Sequence, residues 1–295
     1  MLEQKLNRGD FVITAEIVPP LSGNGDDLIQ RAAPLAGLVD AVNLTDGAGA
    51  RLAMSSLSAS ALLVREGFEP VLQITCRDRN KIALASDLLG ASALGIKNLL
   101  ILHGDDPSKG DIPDAKPVFD LDSKTLIEMA ADIQTVLGKD ARTITAPPVF
   151  HIGCADAPRD PAPDWKPDSL GAKIAAGAQF AQTQFCFDVD IAKRYFLHLA
   201  DHGITDRLKF IVGVGPLLSA KQAQYMNDNL FGVTIPADII ARMEAADDQK
   251  AEGRKICAEI VSGLRDIHGI SGVHIMAPMQ SGSAIAQTIK AIQAF

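Results

Sequence analysis

The chain has 295 residues, of which 47% are apolar and 22% are charged, a composition typical of a folded globular protein and not of a disordered one. Its 28 basic and 36 acidic residues give a formal charge of −8, which offers no general attraction for nucleic acid or for an anionic membrane. This length suits one α/β barrel as well as two smaller domains, so length alone leaves that choice open.

The cysteines and histidines give no sign of a disulfide framework or a metal site. The four cysteines lie far apart without a CxxC pair, and the six histidines form neither HxH nor HExxH. The N-terminal sequence MLEQKLNRGD lacks the apolar stretch of a signal peptide, and no run of eighteen apolar residues occurs. We therefore expect a cytoplasmic protein with no metal, no nucleic-acid partner and no membrane partner.

Eight short β-rich runs alternate with helical patterns along the whole chain. The predicted strands are 11–17, 40–45, 70–75, 98–103, 143–152, 180–185, 209–214 and 272–277. Most are continuous apolar runs, as expected of strands that helices cover on both faces. The predicted helices are 26–35, 55–66, 79–94, 123–137, 170–176, 191–202, 220–229, 249–268 and 283–294.

Eight successive strand and helix units predict an α/β protein with a single (β/α)8 TIM barrel over residues 1–295. An open doubly wound sheet is the alternative. The phosphate loops GxGxxG and GxxxxGK[ST] that would support such a nucleotide-binding sheet are missing, which favours the barrel.

Polar residues stand where the predicted strands end, and in a barrel those ends carry the active site. The strands deliver Glu16; Thr45 and Asp46; Gln73 and Thr75; His103, Gly104, Asp105 and Asp106; Gly153, Cys154 and Asp156; Gln182 and Gln184; and Gln280.

Three of these positions suggest chemistry. Glu16, within the apolar segment TAEIVPP, would lose hydration and suit a general acid, although a surface carboxylate at a strand end is the alternative. The HGDDP segment at 103–107 combines a flexible glycine with two acids and would suit a planar ligand, unless it is only an Asx-type turn. Gln184, within TQFCFD, needs a ligand or a bond to a neighbouring strand if it is buried.

Three longer segments together resemble the signatures of the methylenetetrahydrofolate reductase family. They are TAEIVPP at 14–20, ILHGDDP at 101–107 and GAQFAQTQFCFD at 177–188, supported by VNLTDGA at 42–48, LQITCRD at 72–78, PVFDLDS at 117–123 and VGPLLSAKQ at 214–222. The resemblance implies an FAD-containing barrel that reduces 5,10-methylenetetrahydrofolate to 5-methyltetrahydrofolate with NADH or NADPH. It covers the catalytic barrel and implies no regulatory domain, and we also expect a homo-oligomer.

The resemblance also implies roles for individual residues. Glu16 matches the general acid that protonates the folate, and Asp105 matches the acid that contacts the pterin beside the flavin. Gln184 matches a glutamine that binds folate or nicotinamide, while Gln222 and Gln280 are expected substrate contacts. The expected contacts to flavin or nicotinamide are Thr45, Gln73, His103, Gly104, Asp105, Asp120, Asp122, Gly153, Ala155 and Lys173.

Four positions depart from the family pattern. His103 and Gln280 stand where arginine is usual, Gln73 where histidine is usual and Asp46 where an aromatic residue is usual. Losing cationic groups removes charge-assisted hydrogen bonds, each of about 1.5–3 kcal/mol, which affects cofactor affinity and the choice of electron donor.

Three functions therefore remain open. The favoured one is a ping-pong reductase, in which nicotinamide and folate use the same face of the flavin in turn. The second runs the same chemistry as 5-methyltetrahydrofolate oxidation in methyl-group catabolism, because an enzyme lowers the barrier in both directions. The third is a folate- and flavin-binding subunit of a redox complex without its own nicotinamide reactivity.

Overall fold

Eight parallel strands close into a barrel in the computed structural model, with each strand paired to its neighbour in chain order and β8 paired to β1. The structure describes residues 1–137, 142–278 and 280–295. The strands are β1 Val12–Ile17, β2 Ala41–Leu44, β3 Pro70–Thr75, β4 Asn98–Leu102, β5 His151–Asp156, β6 Phe180–Phe185, β7 Lys209–Val214 and β8 Ile270–Ile275.

Helices surround this barrel. They are α1 Leu2–Arg8, α2 Gly25–Ala32, α3 Ser56–Arg65, α4 Lys81–Ala93, α5 Ser123–Ala131, α6 Asp168–Ala176, α7 Val189–Asp201, α8 Ala220–Asn229, α9 Ala237–Ala245, α10 Gln249–Arg265 and α11 Gly282–Ala294. Short 3-10 turns occur at Ala33–Leu35, Ala48–Ala50, Pro107–Lys109 and Ile133–Val136. Within the described ranges, no helix has the length and apolar character needed to cross a membrane.

The predicted (β/α)8 barrel is confirmed, but one strand was misplaced and two helices were missed. The predicted strand 143–152 is wrong in its bounds, because β5 begins only at His151, after Pro147 and Pro148 interrupt the earlier apolar run. Neither α1, which is only seven residues long, nor α9 was predicted from the sequence. The predicted helix 123–137 divides into α5 and the 3-10 turn at Ile133–Val136.

Alternation along each strand decides which side chains enter the barrel. On β1, Ile13, Ala15 and Ile17 join the large core cluster that also contains the helix residues, so they face outward. The alternate residues Val12, Thr14 and Glu16 therefore face the interior. A parallel sheet covered by helices buries both faces, which explains why its strands read as continuous apolar runs.

The lower end of the interior is apolar, and we call it the barrel floor. Its side chains form a separate buried cluster of Leu2, Leu6, Val12, Ala41, Val71, Leu100, Phe180 and Ile211. Two of these residues belong to α1, so this helix closes the amino-terminal end of the barrel. Lys5 of this helix pairs with Asp40, and the Leu2 amide donates a 2.7 Å hydrogen bond to Glu69.

Candidate active site

The upper end of the interior is polar, and we call it the barrel mouth. It contains Thr14, Glu16, Asn43, Thr45, Gln73, Gln182 and His274, all of which are buried except the half-buried Glu16. Their positions follow from strand alternation, which places the inner residues of β1, β2, β3, β6 and β8 above the floor. The sequence-predicted residues Glu16, Thr45 and Gln73 meet here.

Four buried side chains at the mouth form one hydrogen-bonded network. Asn43 and Gln182 exchange amide hydrogen bonds of 2.5 and 3.2 Å across the barrel. Gln182 Nε2 also donates to Thr14 Oγ1 at 3.3 Å, and Thr14 Oγ1 lies 2.8 Å from His274 Nδ1. Mutual pairing offsets the cost of burying these polar groups, which would each destabilise the fold if left alone.

Glu16 lies above this network at the end of β1, with 19% of its side chain exposed. Its Oε2 is 4.0 Å from His274 Nε2, and strand register places it beside Asn43. An acid that is shielded by the barrel wall and still open to a ligand can exchange a proton with that ligand. Thr45, the residue after the neighbouring strand β2, is buried, and its Oγ1 finds no hydrogen-bond partner among the described residues.

Asp105 is exposed beside the mouth, in the loop after β4. Its Oδ2 accepts a 2.7 Å hydrogen bond from the amide of Gly49, which joins this loop to the loop after β2. A second link, 3.0 Å long, runs from the Leu52 amide to Asp111. The two loops therefore form one wall of the mouth, and Asp105 stands at its edge.

Arg77 supports the same wall from below. Its guanidinium binds Asp78 through two hydrogen bonds of 2.8 and 2.7 Å and donates to the Gly47 carbonyl at 3.2 Å. The hydrogen bonds that Arg77 donates to the Asp78 carboxylate raise the pKa of Arg77, so it stays charged. Gly104 lies so close that a Cβ there would be 2.7 Å from Arg77 Cβ, and its φ of +102° favours glycine.

Two departures from the family pattern have structural partners in this chain. Asp46 accepts hydrogen bonds from the amide and hydroxyl of Thr75, at 2.8 and 2.9 Å, and pairs with Arg79. Asp46 thus fastens the end of β3 to the end of β2. His103 stacks on Phe119, with ring centroids 4.4 Å apart.

A cavity of about 360 Å³ opens beyond the carboxyl ends of β5 and β6. Three sequence-predicted residues, Ala155, Lys173 and Gln184, come together in its wall. Lys173 Nζ donates to the Ala155 carbonyl at 2.7 Å. Gln184 Nε2 donates to the Phe231 carbonyl at 3.3 Å, so the cavity also contacts the segment after α8. Its volume falls in the range of small-molecule sites, about 300–1,000 Å³.

The outer wall of this cavity is a loop that α7 holds in place. Arg194 forms a bidentate pair with Asp160 at 2.8 and 2.9 Å, and His198 Nε2 is 2.8 Å from the Trp165 carbonyl. Tyr195 donates a 2.9 Å hydrogen bond to the partly buried Asp156, whose pKa is raised by burial. These contacts fix Trp165 at the edge of the cavity.

The lining of the cavity combines basic side chains, one carboxylate, Asp156, and aromatic surface, a set that suits an anionic ligand with a planar ring. Arg159, Lys166 and Lys173 provide positive charge, and Trp165 and Phe231 provide aromatic surface. The N-terminus of α6 also reaches the cavity, and no side chain caps it, so its free amides favour an anion. Gly177 caps the C-terminus of α6 with a left-handed φ of 118°. The helix that carries Lys173 therefore ends at Ala176.

Comparison with known families identifies the relationship. The model of the methylenetetrahydrofolate reductase family matches residues 1–293. The chain belongs to this family.

Two curated relatives are similar over most of this chain. A probable methylenetetrahydrofolate reductase (NADPH) of Caenorhabditis elegans is 26% identical over 250 residues, which cover 82% of this chain and 35% of the relative. The 5,10-methylenetetrahydrofolate reductase of Escherichia coli K12 is 28% identical over 213 residues, covering 69% of this chain and 66% of the relative. The chain thus spans about a third of the first relative and just under two thirds of the second.

Solved structures share the fold. A Clostridium thermocellum protein, described as binding two copies of 5-methyl-5,6,7,8-tetrahydrofolic acid, superposes with a TM-score of 0.68 at 15% identity, covering 100% of this chain and 99% of that one. EDTA monooxygenase of Chelativorans sp. BNC1 superposes with a TM-score of 0.57 at 8% identity, covering 97% and 94% of the two chains. At these identities the likeness concerns the barrel alone.

Several residues that resemblance to the reductase family singled out lie apart from the mouth network and the cavity. Asp120 accepts from the Lys81 amide at 2.8 Å, and Asp122 caps α5, where the amide and hydroxyl of Thr125 lower its pKa. Gly153 lies inside the barrel against the Phe180 ring, which leaves no space for a Cβ. These three residues have structural partners, and their predicted cofactor contacts stay predictions.

Gln222 and Gln280 both contact the loop after β7. Gln222 Oε1 accepts from the Leu218 amide at 2.7 Å, and Gln280 Nε2 is 3.5 Å from the Pro216 carbonyl. Each side chain therefore steadies a segment at the rim of the barrel, and its predicted contact with substrate stays a prediction.

Four residues at the mouth, its wall or the cavity were not predicted from the sequence: His274, Arg77, Trp165 and Phe231. His274 could have been found from the alternation in GVHIM, which places it on the inner face of the last strand next to the face of Glu16. Trp165 and Phe231 lie in loops without a periodic pattern, so their approach to one cavity depends on the folded barrel.

Proposed function

We propose that the chain is a methylenetetrahydrofolate reductase that interconverts 5,10-methylenetetrahydrofolate and 5-methyltetrahydrofolate, with NADH or NADPH as electron donor and FAD as cofactor. The observation that carries the proposal is the position of Glu16, a half-buried acid at the mouth of a barrel whose sequence matches this family over residues 1–293. The folate would bind over the mouth, with its reacting bridge facing Glu16.

Glu16 would supply the proton that the reaction needs. Protonation of a bridge nitrogen breaks its bond to the one-carbon unit and leaves that carbon as an electrophilic iminium. A hydride added to this carbon gives the methyl group, and Glu16 is left as a carboxylate. Proton donation by a positioned acid is worth about 10²–10⁴-fold in rate.

The cavity beside the mouth would hold the dinucleotide. Lys173, Arg159 and the N-terminus of α6 would bind its diphosphate, and Trp165 offers a face for a planar ring. When bound, FAD would store the hydride taken from the nicotinamide until the folate arrives. Gln184, which borders this cavity, would bind nicotinamide and folate in turn, as a ping-pong scheme requires.

Asp105 would hold the pterin from the edge of the mouth. Its Oδ2 is fixed by the Gly49 amide, which leaves its second oxygen for a donor on the pterin. Gln222 and Gln280 would contact the remainder of the folate from the rim. In this proposal residues 1–295 form one catalytic barrel of a cytoplasmic homo-oligomer, and the net direction is set by the supply of the two folates.

A two-step anaerobic experiment tests the function. The FAD-loaded protein is reduced with NADH or NADPH, and flavin absorbance is then followed after addition of 5,10-methylenetetrahydrofolate. We expect bleaching by a nicotinamide and recovery with formation of 5-methyltetrahydrofolate. A flavin that neither nicotinamide bleaches would support the redox-subunit alternative, and a protein that binds no FAD would contradict the proposal.

FAD binding itself can be tested with a matched pair of lysine variants. Lys173→Met removes a cation from the cavity, whereas Lys193→Met removes one on exposed α7, where Lys193 pairs with Asp190. Flavin fluorescence quenching should show weaker FAD binding, by roughly 10-fold or more, for Lys173→Met only. Equal affinities in the two variants would place the diphosphate elsewhere.

A further inference from the structure

His274 is buried at the mouth, with only 2% of the residue exposed, yet both of its ring nitrogens face polar side chains. Nδ1 is 2.8 Å from Thr14 Oγ1, and Nε2 is 4.0 Å from Glu16 Oε2. Which nitrogen carries the proton of the neutral ring decides what His274 presents to Glu16.

The surrounding network answers this question by elimination. Gln182 Nε2 donates one hydrogen to Asn43 Oδ1 and the other to Thr14 Oγ1. Thr14 Oγ1 thus accepts from Gln182, and its own hydroxyl proton needs an acceptor because the residue is fully buried. Among the hydrogen bonds of the described residues, His274 Nδ1 is the one acceptor that this hydroxyl can reach.

With the Asn43 and Gln182 amides in this orientation, a neutral His274 ring carries its proton on Nε2, on the side of Glu16. A separation of 4.0 Å is too long for a hydrogen bond, so the Glu16 side chain has to approach Nε2 by about 1 Å when substrate binds for the bond to form. Hydrogen bonds of catalytic groups are commonly longer in the absence of substrate and tighten when it binds.

We propose that His274 is a positioning residue, which holds the Glu16 carboxyl towards the folate and stabilises the carboxylate left when Glu16 gives its proton away. This inference rests on the proposed function, in which Glu16 is the proton donor. The Nε2 hydrogen interacts more strongly with the carboxylate formed during the reaction than with the neutral acid. An interaction that strengthens as charge develops lowers the barrier of that step.

The other charged groups around β1 have partners of their own. β1 packs against β2, β8 and α1. Asp46, which follows β2, is bound by Arg79 and Thr75, and Lys5 of α1 pairs with Asp40 at the opposite end of the barrel. On β8, His274 is the titratable residue that faces Glu16.

Two substitutions test separately the two nitrogens of the His274 ring, Nδ1 facing Thr14 and Nε2 facing Glu16. His274→Asn keeps an acceptor near Thr14 and removes the donor facing Glu16, whereas His274→Gln extends an amide N–H towards Glu16. We expect His274→Asn to slow reoxidation of the reduced flavin by 5,10-methylenetetrahydrofolate by roughly 10- to 100-fold, and His274→Gln to slow it several-fold less. Flavin reduction by nicotinamide should change much less than either.

The pH profile and a double variant distinguish positioning from a general structural role. Without the N–H donor the Glu16 carboxylate is less stable, so the alkaline limb of folate reduction should move to higher pH in His274→Asn. Because His274 acts through Glu16, adding His274→Asn to Glu16→Gln should cost less than about 2-fold beyond Glu16→Gln alone. If His274 had only a structural role, the rate losses of His274→Asn and Glu16→Gln would multiply in the double variant. The alkaline limb of the pH profile would then stay where it is in the unaltered protein.

His151→Asn is the matched control, because His151 is also a buried barrel histidine. It stacks on Phe180 and lies 3.2 Å from Asn98 at the lower end of the barrel, where burial lowers its pKa to about 4. We expect it to lower thermal stability without a selective loss in the folate step. If His274→Asn does not fold, Thr14→Val tests the same network, with Thr14→Ser as its control. Only Thr14→Val, which removes the hydroxyl, should move the alkaline limb of folate reduction.

The outcomes separate the two proposals. Normal folate reduction by Glu16→Gln would contradict the proposed function. An inactive Glu16→Gln together with a His274→Asn variant that slows both half-reactions equally, or neither, would overturn the inference and leave the proposed function standing.

Discussion

The barrel floor and the barrel mouth are built from the same strands in opposite ways. On β1, Val12 belongs to the apolar floor, while Thr14, two residues further, belongs to the polar network. On β6, Phe180 fills the floor, and Gln182 bonds across the mouth. Two residues further along the same strand, the side chain inside the barrel thus changes from an apolar one that packs to a polar one that forms hydrogen bonds.

The comparison shows how one barrel interior can separate apolar packing from polar side chains that are open to a ligand. The floor is closed by α1 and excludes water, so its side chains contribute by burial, at about 1.5–3 kcal/mol for a large apolar side chain. The mouth buries polar groups whose hydrogen bonds to one another mainly offset their desolvation. Substitutions at the floor should therefore affect folding, and substitutions at the mouth should affect the reaction.

The largest expected effect is at the mouth. Glu16→Gln keeps the size and hydrogen-bonding capacity of the side chain but donates no comparable proton. We expect folate reduction to fall by about 10²–10⁴-fold in single-turnover measurements, with little change in flavin reduction by nicotinamide. Glu3→Gln on α1, at the opposite end of the barrel, is the control and should behave as the unaltered protein. Equal slowing of both half-reactions by Glu16→Gln would make Glu16 structural.

The second prediction concerns the floor. Leu6→Ala removes a fully buried side chain from the helix that closes the barrel, so the free energy of unfolding should fall by about 2–5 kcal/mol. Urea denaturation measures this loss, and Leu197→Ala on α7, where the side chain is 65% exposed, should change it far less. Below the unfolding transition, folate reduction per folded molecule should stay unchanged. A loss of folate reduction in the folded Leu6→Ala protein would contradict the separation, because it would show that the floor also affects the reaction.

The third prediction concerns Asp156, a partly buried carboxyl in the wall of the cavity. Burial raises its pKa in the folded state, whereas in the unfolded chain it should titrate near about 3.9. The unaltered protein should therefore lose stability relative to Asp156→Asn as pH rises through the raised pKa. Urea denaturation of both proteins from pH 4 to 9 measures the difference between their free energies of unfolding, which should grow as pH rises. A constant gap would show that Asp156 titrates as it does in the unfolded chain.

Two variants give the controls for this measurement. Tyr195→Phe removes the hydroxyl that donates to Asp156 and should cost about 1–3 kcal/mol. Asp160→Asn changes an exposed carboxyl whose pKa the Arg194 hydrogen bond lowers, so its stabilising effect is lost as pH falls, with the opposite sign.

The smallest expected effect returns to α1. Lys5 precedes Leu6 in the chain, and Lys5→Met breaks its ion pair with Asp40. The lysine side chain is 41% exposed, however. Exposed ion pairs contribute about 0–1 kcal/mol, so urea denaturation should show a change in that range. A loss as large as that of Leu6→Ala would mean that the ion pair, and not burial, fastens the helix to the floor.

Much of the barrel could be predicted from the sequence because strands buried on both faces leave a strong local signal. Phe180–Phe185 and Lys209–Val214 were predicted with the bounds that the structure has. The fifth strand was misplaced because three of the four residues in 143–146 are β-branched, as is typical of a strand, and the prolines at 147 and 148 separate this segment from β5. Glu16 could be selected as a candidate from the sequence because a charged residue in an apolar strand stands out locally, and its role stays a prediction.

The sequence by itself determined the eight-strand pattern, the family and the acid at the end of β1, since each depends on residues near one another in the chain. Only the tertiary structure brought Thr14, Asn43, Gln182 and His274 into one network and Trp165 and Phe231 to one cavity. The physical reason is barrel closure, which places β1 beside β8 and joins residues 260 positions apart, such as Thr14 and His274, across a single hydrogen bond.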